Sequence, residues 1–513
     1  MDPNEGHPRR WGILGVLVFS LLAVVLDNTI LNVAMKTISD PHVGLGATQS
    51  QLEWAINSYT LVFAGLLFTF GVIGDRTGRK RMLFIGMALF GLASLASAYS
   101  QDPTQLIFAR AAMGIGGAAI MPATLAIISN VFPPGERGKA IGIWAGGVGL
   151  AVAIGPITGG LLIEHFWWGS VFLVNVPIVV ISMVLIGVFV PESRDPKPSK
   201  LDPVGVLLSI IGLVALVYGI IRGGDLATLA DAEVIVPTVV GVLVLGVFVW
   251  WERRIDNPVF DVRNFSNVRF SSAIGMMGIV FFAMMGGMFF LTFYLQIVLG
   301  FSPIQAGALM IPFAAAQLIF APLSQRVHQI FGAKLSATVS MLVVTAALGS
   351  YALMDVDTPV VLIEIIFFVQ GAAMANIMPP ATTAIMEALP REKAGVGSAM
   401  SNTVRQVSGA LGVAVLGSVL SSSYRGEIAS ALPAGAPHAA GESIMATMGF
   451  AGRLGEQGQA LVKSAFTAFV DGMHVTAIVS AVIALVGVAV VAKWMPGKAR
   501  PVQQAEQKEP AVV

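Results

Sequence analysis

The stretch IMPATLAIISNVFPPGERGKAIG at residues 120–142 returns 257 residues later as IMPPATTAIMEALPREKAGVGSA at residues 377–399. Each copy begins in an apolar run, crosses a short basic segment and enters the next apolar run. A duplication on this scale predicts a chain that is built from two related halves.

The composition places those halves in lipid. Of the 513 residues, 56% are hydrophobic and only 12% are charged, and the mean hydropathy is +0.81, so the chain has too little polar surface to coat a water-soluble globule. The absence of cysteine excludes disulfides and thiolate chemistry. The formal net charge of +1 argues against a nucleic-acid partner.

Working outward from the repeat, we find fourteen apolar runs of about 18–25 residues, each long enough to cross a hydrocarbon core about 30 Å thick. The predicted spans are 11–35, 52–74, 82–100, 105–130, 138–163, 170–190, 203–223, 233–251, 268–294, 303–326, 335–354, 359–386, 396–420 and 473–494. We expect the first span to be retained, because no small-residue cleavage site follows it.

The repeat pairs the fourth span with the twelfth, which predicts two six-helix halves around an extra helix pair. The expected divisions are residues 1–195 for the first half, 196–260 for the inserted pair, 261–495 for the second half and 496–513 for a disordered tail. Residues 421–471, which are rich in Gly, Ala and Ser, predict a long outer loop with one short amphipathic helix.

The lysines and arginines give the expected orientation. With the N-terminus in the cytoplasm, most of the 30 basic residues fall in cytoplasmic segments, as the positive-inside rule requires. We therefore expect a multi-pass protein of a bacterial cytoplasmic (inner) membrane with both termini cytoplasmic.

Four motifs carry a family resemblance. GVIGDRTGRKR, from Gly71, resembles the signature loop between helices two and three of the major facilitator superfamily. LDNTILNVA in the first span, FARAAMGIGGAAIMP in the fourth and AGGVGLAVAIGPITGG in the fifth resemble the fourteen-helix drug:proton antiporters of that superfamily. The resemblance covers nearly the whole chain and implies an all-α major facilitator fold. The second-half copy of the loop, APLSQRVHQIFGAK, departs from the pattern at Gln329 and Ile330.

Two charges inside predicted spans are candidates for proton coupling. Inserting an aspartate at the centre of a membrane helix costs about 2.5–3.5 kcal/mol, so a functional role is expected for Asp27. A carboxylate that is exposed alternately to each side of the membrane can carry a proton across. Arg110 provides a fixed charge that could tune that acid. The alternatives are a permanently hydrogen-bonded aspartate and an arginine that snorkels to the surface. Glu364 is a possible second acid near the outer end.

A central cavity is expected to take the substrate. The polar residues that we predict to line it are Asn28, Asn57, Tyr59, Gln317, Gln370 and Asn376. The ninth span is rich in methionine and aromatic residues, which adapt to varied shapes and attract cations, although most of them are expected to pack.

The resemblance also implies two structural devices. A conformational latch at the signature loop would use Gly71, Gly74, Asp75 and Arg79. Close packing of helix five against its counterpart in the other half would use Gly149, Gly155, Pro156, Gly159 and Gly160.

The sequence contains no phosphate-binding loop of the GxxxxGK[ST] type, so ATP is not the expected energy source, and no cofactor or metal is expected. We predict a protein that is not an enzyme, a monomer in membrane lipid that exchanges protons for lipophilic, cationic drugs by alternating access. Export of an amino acid, peptide or endogenous antibiotic is the alternative. A membrane-embedded enzyme or lipid scaffold is a remote alternative.

Overall fold

The computed structural model describes residues 6–194, 201–226, 228, 230–256, 258, 261–387, 394–433, 436–454 and 456–495. The predicted tail at 496–513 lies outside these residues. The described chain is helical, and its α-helices are α1 (Arg10–Ser39), α2 (Gln49–Thr77), α3 (Arg79–Ala98), α4 (Pro103–Val131), α5 (Pro134–His165), α6 (Ser170–Leu173), α7 (Asn175–Phe189), α8 (Pro203–Leu226), α9 (Ala232–Arg254), α10 (Val268–Phe293), α11 (Pro303–Ala308), α12 (Ile311–Phe331), α13 (Ala333–Ser350), α14 (Val360–Glu387), α15 (Ala394–Ile428), α16 (Ile444–Ala451) and α17 (Glu456–Trp494).

The apolar spans predicted from the sequence are helices. Thirteen helical stretches in the described residues are long and apolar enough to cross a membrane, two of them formed by consecutive helices (α6 with α7, and α11 with the start of α12). The fifth predicted span corresponds to α5, a 32-residue helix in which several side chains lie outside the description. This order is consistent with the fourteen predicted spans.

Local sequence signals set the helix boundaries. Thr48 and Ser302 begin α2 and α11 with capping boxes, in which the hydroxyl accepts from a backbone N–H three residues on and a glutamine side chain bonds back. Gly78 and Gly332 separate α2 from α3 and α12 from α13, with φ of 123° and 82°. A side chain at either position would strain the backbone, so glycine makes both breaks.

The same helix pairs recur in the two parts of the chain. In the first part, α1 packs on α5, α4 packs on α2 and α3, and α3 packs on α7. In the second part, α10 packs on α15, α14 packs on α12 and α13, and α13 packs on α17. The helices α8 and α9 form a hairpin, and α8 contacts both α2 and α15.

The two sets of helices meet at the predicted outer end. Lys36 Nζ donates to the carbonyl of Gln296 at 2.5 Å, and Gln296 Nε2 donates to the carbonyl of Val33 at 2.9 Å. Gln49 Nε2, at the start of α2, donates to the carbonyl of Gly417 in α15 at 3.0 Å. Each of these bonds lies near the end of the bundle that carries the α1–α2 turn, which is therefore the closed end.

The predicted loop at 421–471 is wrong at both boundaries. α15 continues to Ile428 and α17 begins at Glu456, so most of this segment is helical; only the predicted short helix, α16, is confirmed. Alanine favours helix and small residues are compatible with packed helices, so this composition does not by itself indicate a loop. Tyr424 of α15 donates a hydrogen bond to Thr447 of α16 at 2.6 Å.

Candidate functional site

An ion pair lies at the centre of the first half. Arg110 Nη1 of α4 donates to Asp27 Oδ2 of α1, and both side chains are 1% exposed. Arg110 Nε also donates to the carbonyl of Ala55 in α2 at 3.0 Å, so the guanidinium joins three helices. This arrangement contradicts the snorkelling alternative, because the charged group points into the bundle and away from the membrane surface.

The second oxygen of Asp27 has a partner that sequence reasoning missed. Asn175, at the first residue of α7, donates to Asp27 Oδ1 at 3.3 Å and to Ser94 Oγ of α3 at 3.1 Å. Ser94 in turn donates to the carbonyl of Phe172 at 2.8 Å. A polar residue within the sixth predicted span was the signal that could have identified Asn175.

Aromatic rings and glycines complete the surroundings of Arg110. Its guanidinium carbon lies 4.5 Å from the ring centre of Tyr59, a distance at which the ring face attracts the cation. The Tyr59 hydroxyl accepts a hydrogen bond from Asn28 at 3.2 Å. A Cβ at Gly114 would lie 2.5 Å from the carbonyl oxygen of Tyr59, so glycine permits this approach of α4 to α2. The predicted residues Asp27, Arg110, Asn28 and Tyr59 thus form one cluster.

No hydrogen bond among the described residues joins the other predicted cavity residues to this cluster. Asn57 is buried on α2, and neither polar atom of its side chain has a hydrogen-bond partner among the residues that the structure describes. Gln317 lies half-buried on α12, while Gln370 and Asn376 lie on α14. Gln370 accepts a hydrogen bond from the Tyr351 hydroxyl at 2.7 Å. Glu364 is half-buried, in the second turn of α14.

A small pocket lies between the two sets of helices. Its volume is about 20 Å³, room for roughly one water molecule. Its walls come from α1, α5, α10, the π-helical turn that follows α10, α11 and the turn before α12. The lining residues are Thr29, Asn32, Val33, Pro156, Met288, Thr292, Leu295, Gln296, Ala306 and Met310. Gln296 Oε1 is buried there without a hydrogen-bond partner. Closure at this end thus leaves no room for a drug-sized molecule in this pocket.

The signature loop forms an ordered contact with α4. Asp75 Oδ1 accepts from Arg79 Nε at 2.8 Å, and Arg79 Nη1 donates to the carbonyl of Ala126 at 3.4 Å. Gly74 faces Met82, and Gly71 faces Pro122 of α4. In the second-half copy, Ile330 is 73% exposed and the side chain of Gln329 lies outside the described residues.

The packing of helix five corrects one implication of the resemblance. The repeat makes α15 the counterpart of α5, but α5 contacts α1 and α11, whereas α15 contacts α2. A Cβ at Gly159 would meet Ile30 of α1, and one at Gly160 would meet the backbone of Ile304 in α11. Gly155 of α5 likewise faces Thr29 of α1, and the carbonyl of Pro156 in α5 faces Gly307 of α11. The surroundings of the predicted residue Gly149 lie outside the description. The small residues join the halves through α11.

Sequence reasoning also passed over a buried acid near the closed end. Glu53, in the first turns of α2, is 2% exposed, and its Oε2 has no hydrogen-bond partner. Glu53 lies near the start of the second predicted span, where an acid is expected to reach water at the membrane interface, so the sequence did not indicate that it is buried. No group of His, Asp and Glu side chains in the described residues could hold a metal ion.

Comparison with known proteins identifies the family. The profile of the Major Facilitator Superfamily matches residues 17–413. The tetracenomycin C resistance and export protein of Streptomyces glaucescens is 32% identical over 98% of this chain and 94% of its own length. The multidrug efflux pump LfrA of Mycolicibacterium smegmatis is 34% identical over 94% of this chain and 96% of its own.

Solved structures share the fold at low sequence identity. A bacterial homologue of the human lysosomal transporter Spinster, in an inward-facing and unoccupied conformation, superposes with a TM-score of 0.66 at 17% identity and covers 96% of this chain and 99% of its own. The peptide transporter POT in complex with sulfate gives a TM-score of 0.62 at 15% identity, with coverage of 96% and 97%. The chain is thus a multi-pass membrane protein of the Major Facilitator Superfamily, and both relatives described above are named for resistance and export or for multidrug efflux.

Proposed function

We propose that this protein exports lipophilic, cationic drugs from the cytoplasm in exchange for protons. The observation that carries this proposal is the buried pair of Asp27 and Arg110, which places a titratable group beside a permanent charge at the centre of a transporter fold. An intramembrane acid of this kind is expensive to bury and is typical of proton pathways.

The geometry suggests how the proton would act. In this structure, whose predicted outer end is closed, Asp27 accepts hydrogen bonds from both Arg110 and Asn175, which favour the ionised carboxylate, whereas its burial favours the neutral acid. When the predicted outer end opens, a proton from outside neutralises Asp27 and removes most of its attraction for Arg110. After that end has closed again, the proton leaves Asp27 to the cytoplasm. Arg110 keeps its charge, its bond to Ala55 and its contact with the Tyr59 ring, so the ties that weaken are those of α1 to α4 and, through Asn175, of α1 to α7.

The substrate class draws on relatives and on composition. One relative, 34% identical, is named for resistance to methyl viologen, an organic cation, and another, 35% identical, for resistance to puromycin. Met288 lines the small pocket between the two sets of helices. The ring centre of Phe281 lies 4.5 Å from the guanidinium carbon of Arg405, so this ring already contacts a cation. Polarisable and aromatic side chains of this kind suit flat, lipophilic cations.

The remaining assignments complete the proposal. The first half comprises residues 1–195, the inserted pair 196–260 and the second half 261–495, supported by the helix pairs that recur in both parts. Both termini lie in the cytoplasm of a bacterial cell with the protein in its inner membrane, supported by the basic segments.

The protein works as a monomer in lipid. Asp75 and Arg79 serve as the latch.

Asp27→Asn tests the proposal, because an amide keeps the shape of the acid and cannot titrate. Everted vesicles with an imposed pH gradient should take up a fluorescent lipophilic cation when they contain the wild type, and Asp27→Asn should reduce this uptake to that of empty vesicles. Asp102→Asn is the matched control, since asparagine keeps the capping bond of Asp102 to Gln105. Uptake by Asp27→Asn that still follows the pH gradient would refute proton coupling through Asp27.

A further inference from the structure

A second buried acid lies where three helices meet at the closed end. Glu53 of α2 is 2% exposed, and its Oε1 accepts a long bond of 3.4 Å from Gln49. Within the described part of the chain, its Oε2 has no hydrogen-bond partner. A buried carboxylate with so few bonds is costly in its charged form, and one proton removes most of that cost.

The helix opposite is shaped around this carboxyl group. A Cβ at Gly417 of α15 would overlap the Glu53 carboxyl, with Cδ at 2.6 Å, so glycine leaves the space that the carboxyl group occupies in this position. Gln49 bridges the two, because the same Nε2 that contacts Glu53 donates to the carbonyl of Gly417 at 3.0 Å. The carboxyl group is thus enclosed between the first and second halves.

The inserted helix α8 closes the third side. Ser418 of α15 donates to the carbonyl of Ile220 at 2.9 Å, and Arg425 of α15 donates to Asp225 at 3.4 Å. The charged groups that act on Glu53 are Asp225 from α8, which repels the ionised form, and Arg425 from α15, which attracts it. The charge that α4 brings to α2, Arg110, is bonded to Asp27. We call Gln49, Glu53, Asp225, Gly417, Ser418 and Arg425 the outer junction.

We propose that Glu53 is a second proton-binding site, and that proton binding there stabilises closure of the predicted outer end. When the halves separate at this end, water reaches Glu53 and its proton passes to the external solution. The ionised carboxylate then resists re-entry into the space beside Gly417, because it would lose its hydration for one long bond. A proton from outside neutralises it and permits closure.

This inference rests on the alternating access of the proposed function, but it needs no coupling through Asp27. The test is therefore made in an Asp27→Asn background, without substrate, and follows the separation of the halves directly. The chain has no cysteine, so Val43→Cys and Val356→Cys provide two unique spin-label sites. Both positions are exposed at the predicted outer end, one in each half, at 62% and 45%.

Distance distributions between the labels would be measured in nanodiscs from pH 5 to pH 9. In the Asp27→Asn background we expect a short distance at pH 5 and a growing longer population as the pH rises. Glu53→Gln should hold the short distance at every pH, since a neutral amide needs no proton to remain buried. Glu53→Asp should keep the pH response and excludes a purely structural effect of altering Glu53. Asp102→Asn, which changes another acid near this end and keeps its capping bond to Gln105, should also keep it.

The results decide between clear alternatives. A pH response that persists in Glu53→Gln would overturn the proposal, as would a distance that never changes with pH in the parent. A short distance at low pH in each variant shows that the variant has folded. Proton-driven uptake by vesicles remains a separate measurement, so loss of coupling at Asp27 and loss of control at Glu53 give different outcomes.

Discussion

Arg110 of α4 and Asp27 of α1 form an ion pair in which each side chain is 1% exposed, although the two residues lie 83 positions apart. The two charges differ in what they can do when the partner is lost. Asp27 can bind a proton and become neutral, whereas the guanidinium keeps its charge in proteins. The pair is therefore asymmetric, and this asymmetry can be measured.

Asp27→Asn should destabilise the protein more than Arg110→Gln does. The first change leaves a permanent charge buried, at a cost of about 3–5 kcal/mol, while the second leaves an acid that can take up a proton. Unfolding of purified protein in mixed micelles would be followed at several pH values. The loss caused by Arg110→Gln should shrink as the pH falls, and equal, pH-independent losses in both variants would contradict the prediction.

Arg110→Lys should not restore the efflux that Arg110→Ala loses. The planar guanidinium of Arg110 donates to Asp27 and to the carbonyl of Ala55 from two separate nitrogens, which the single ammonium group of lysine does not reproduce. Lysine can also lose its proton when it is buried. We expect efflux at least about tenfold below wild type in both variants, assayed at matched expression. Full activity with lysine would mean that any cation at this position is sufficient.

Asp75→Asn should slow turnover more than it weakens substrate binding. Asp75 holds Arg79 at 2.8 Å, and Arg79 reaches the carbonyl of Ala126, so the change loosens the loop against α4 without touching the Asp27 cluster. Binding affinity and transport rate would be measured in parallel, with the exposed Arg81→Gln as the control. Normal turnover in Asp75→Asn would show that Asp75 is not part of a latch, and that the loop only sets the orientation of the protein in the membrane.

Gly160→Ala should open the closed end. The added Cβ would lie 2.6 Å from the Cα of Ile304, so α5 and α11 would have to separate. The spin labels at positions 43 and 356 should then report a longer distance even at pH 5. Gly187→Ala is the matched control, because a Cβ at Gly187 meets nothing within 4 Å, and an unchanged distance in Gly160→Ala would show that α11 can yield locally.

The spans and the central ion pair could be predicted from the sequence for a simple reason. Lipid admits few charges, so Asp27 and Arg110 stand out against apolar neighbours, and long apolar runs have few alternatives to helix. Whether Arg110 reached inward or outward could not be decided, since the stem of arginine is long enough for both.

Other site residues gave weaker signals. Asn175 is a neutral amide in an apolar run, and the importance of its contact depends on how α7 packs against α1 and α3. Gln296 lies just beyond the predicted end of the ninth span, in a π-helical turn that apolar periodicity does not reveal. The helix that packs against α5 could not be predicted either, because small residues indicate close approach of helices without indicating which helices approach each other.

The position of α8 between α2 and α15 has a consequence for how the molecule moves. If the halves part at the predicted outer end, α8 cannot remain in contact with both helices. It is tied to α15 by the bonds from Ser418 to Ile220 and from Arg425 to Asp225. Towards α2 its described residues make one hydrogen bond, between Ser50 and Asp225, and apolar contacts such as Ile210 against Gly65. Asp225 therefore bonds to both neighbours, and opening must break one of these bonds. Because α15 holds α8 by the larger number of polar bonds, the inserted hairpin should move with the second half while α2 separates from it.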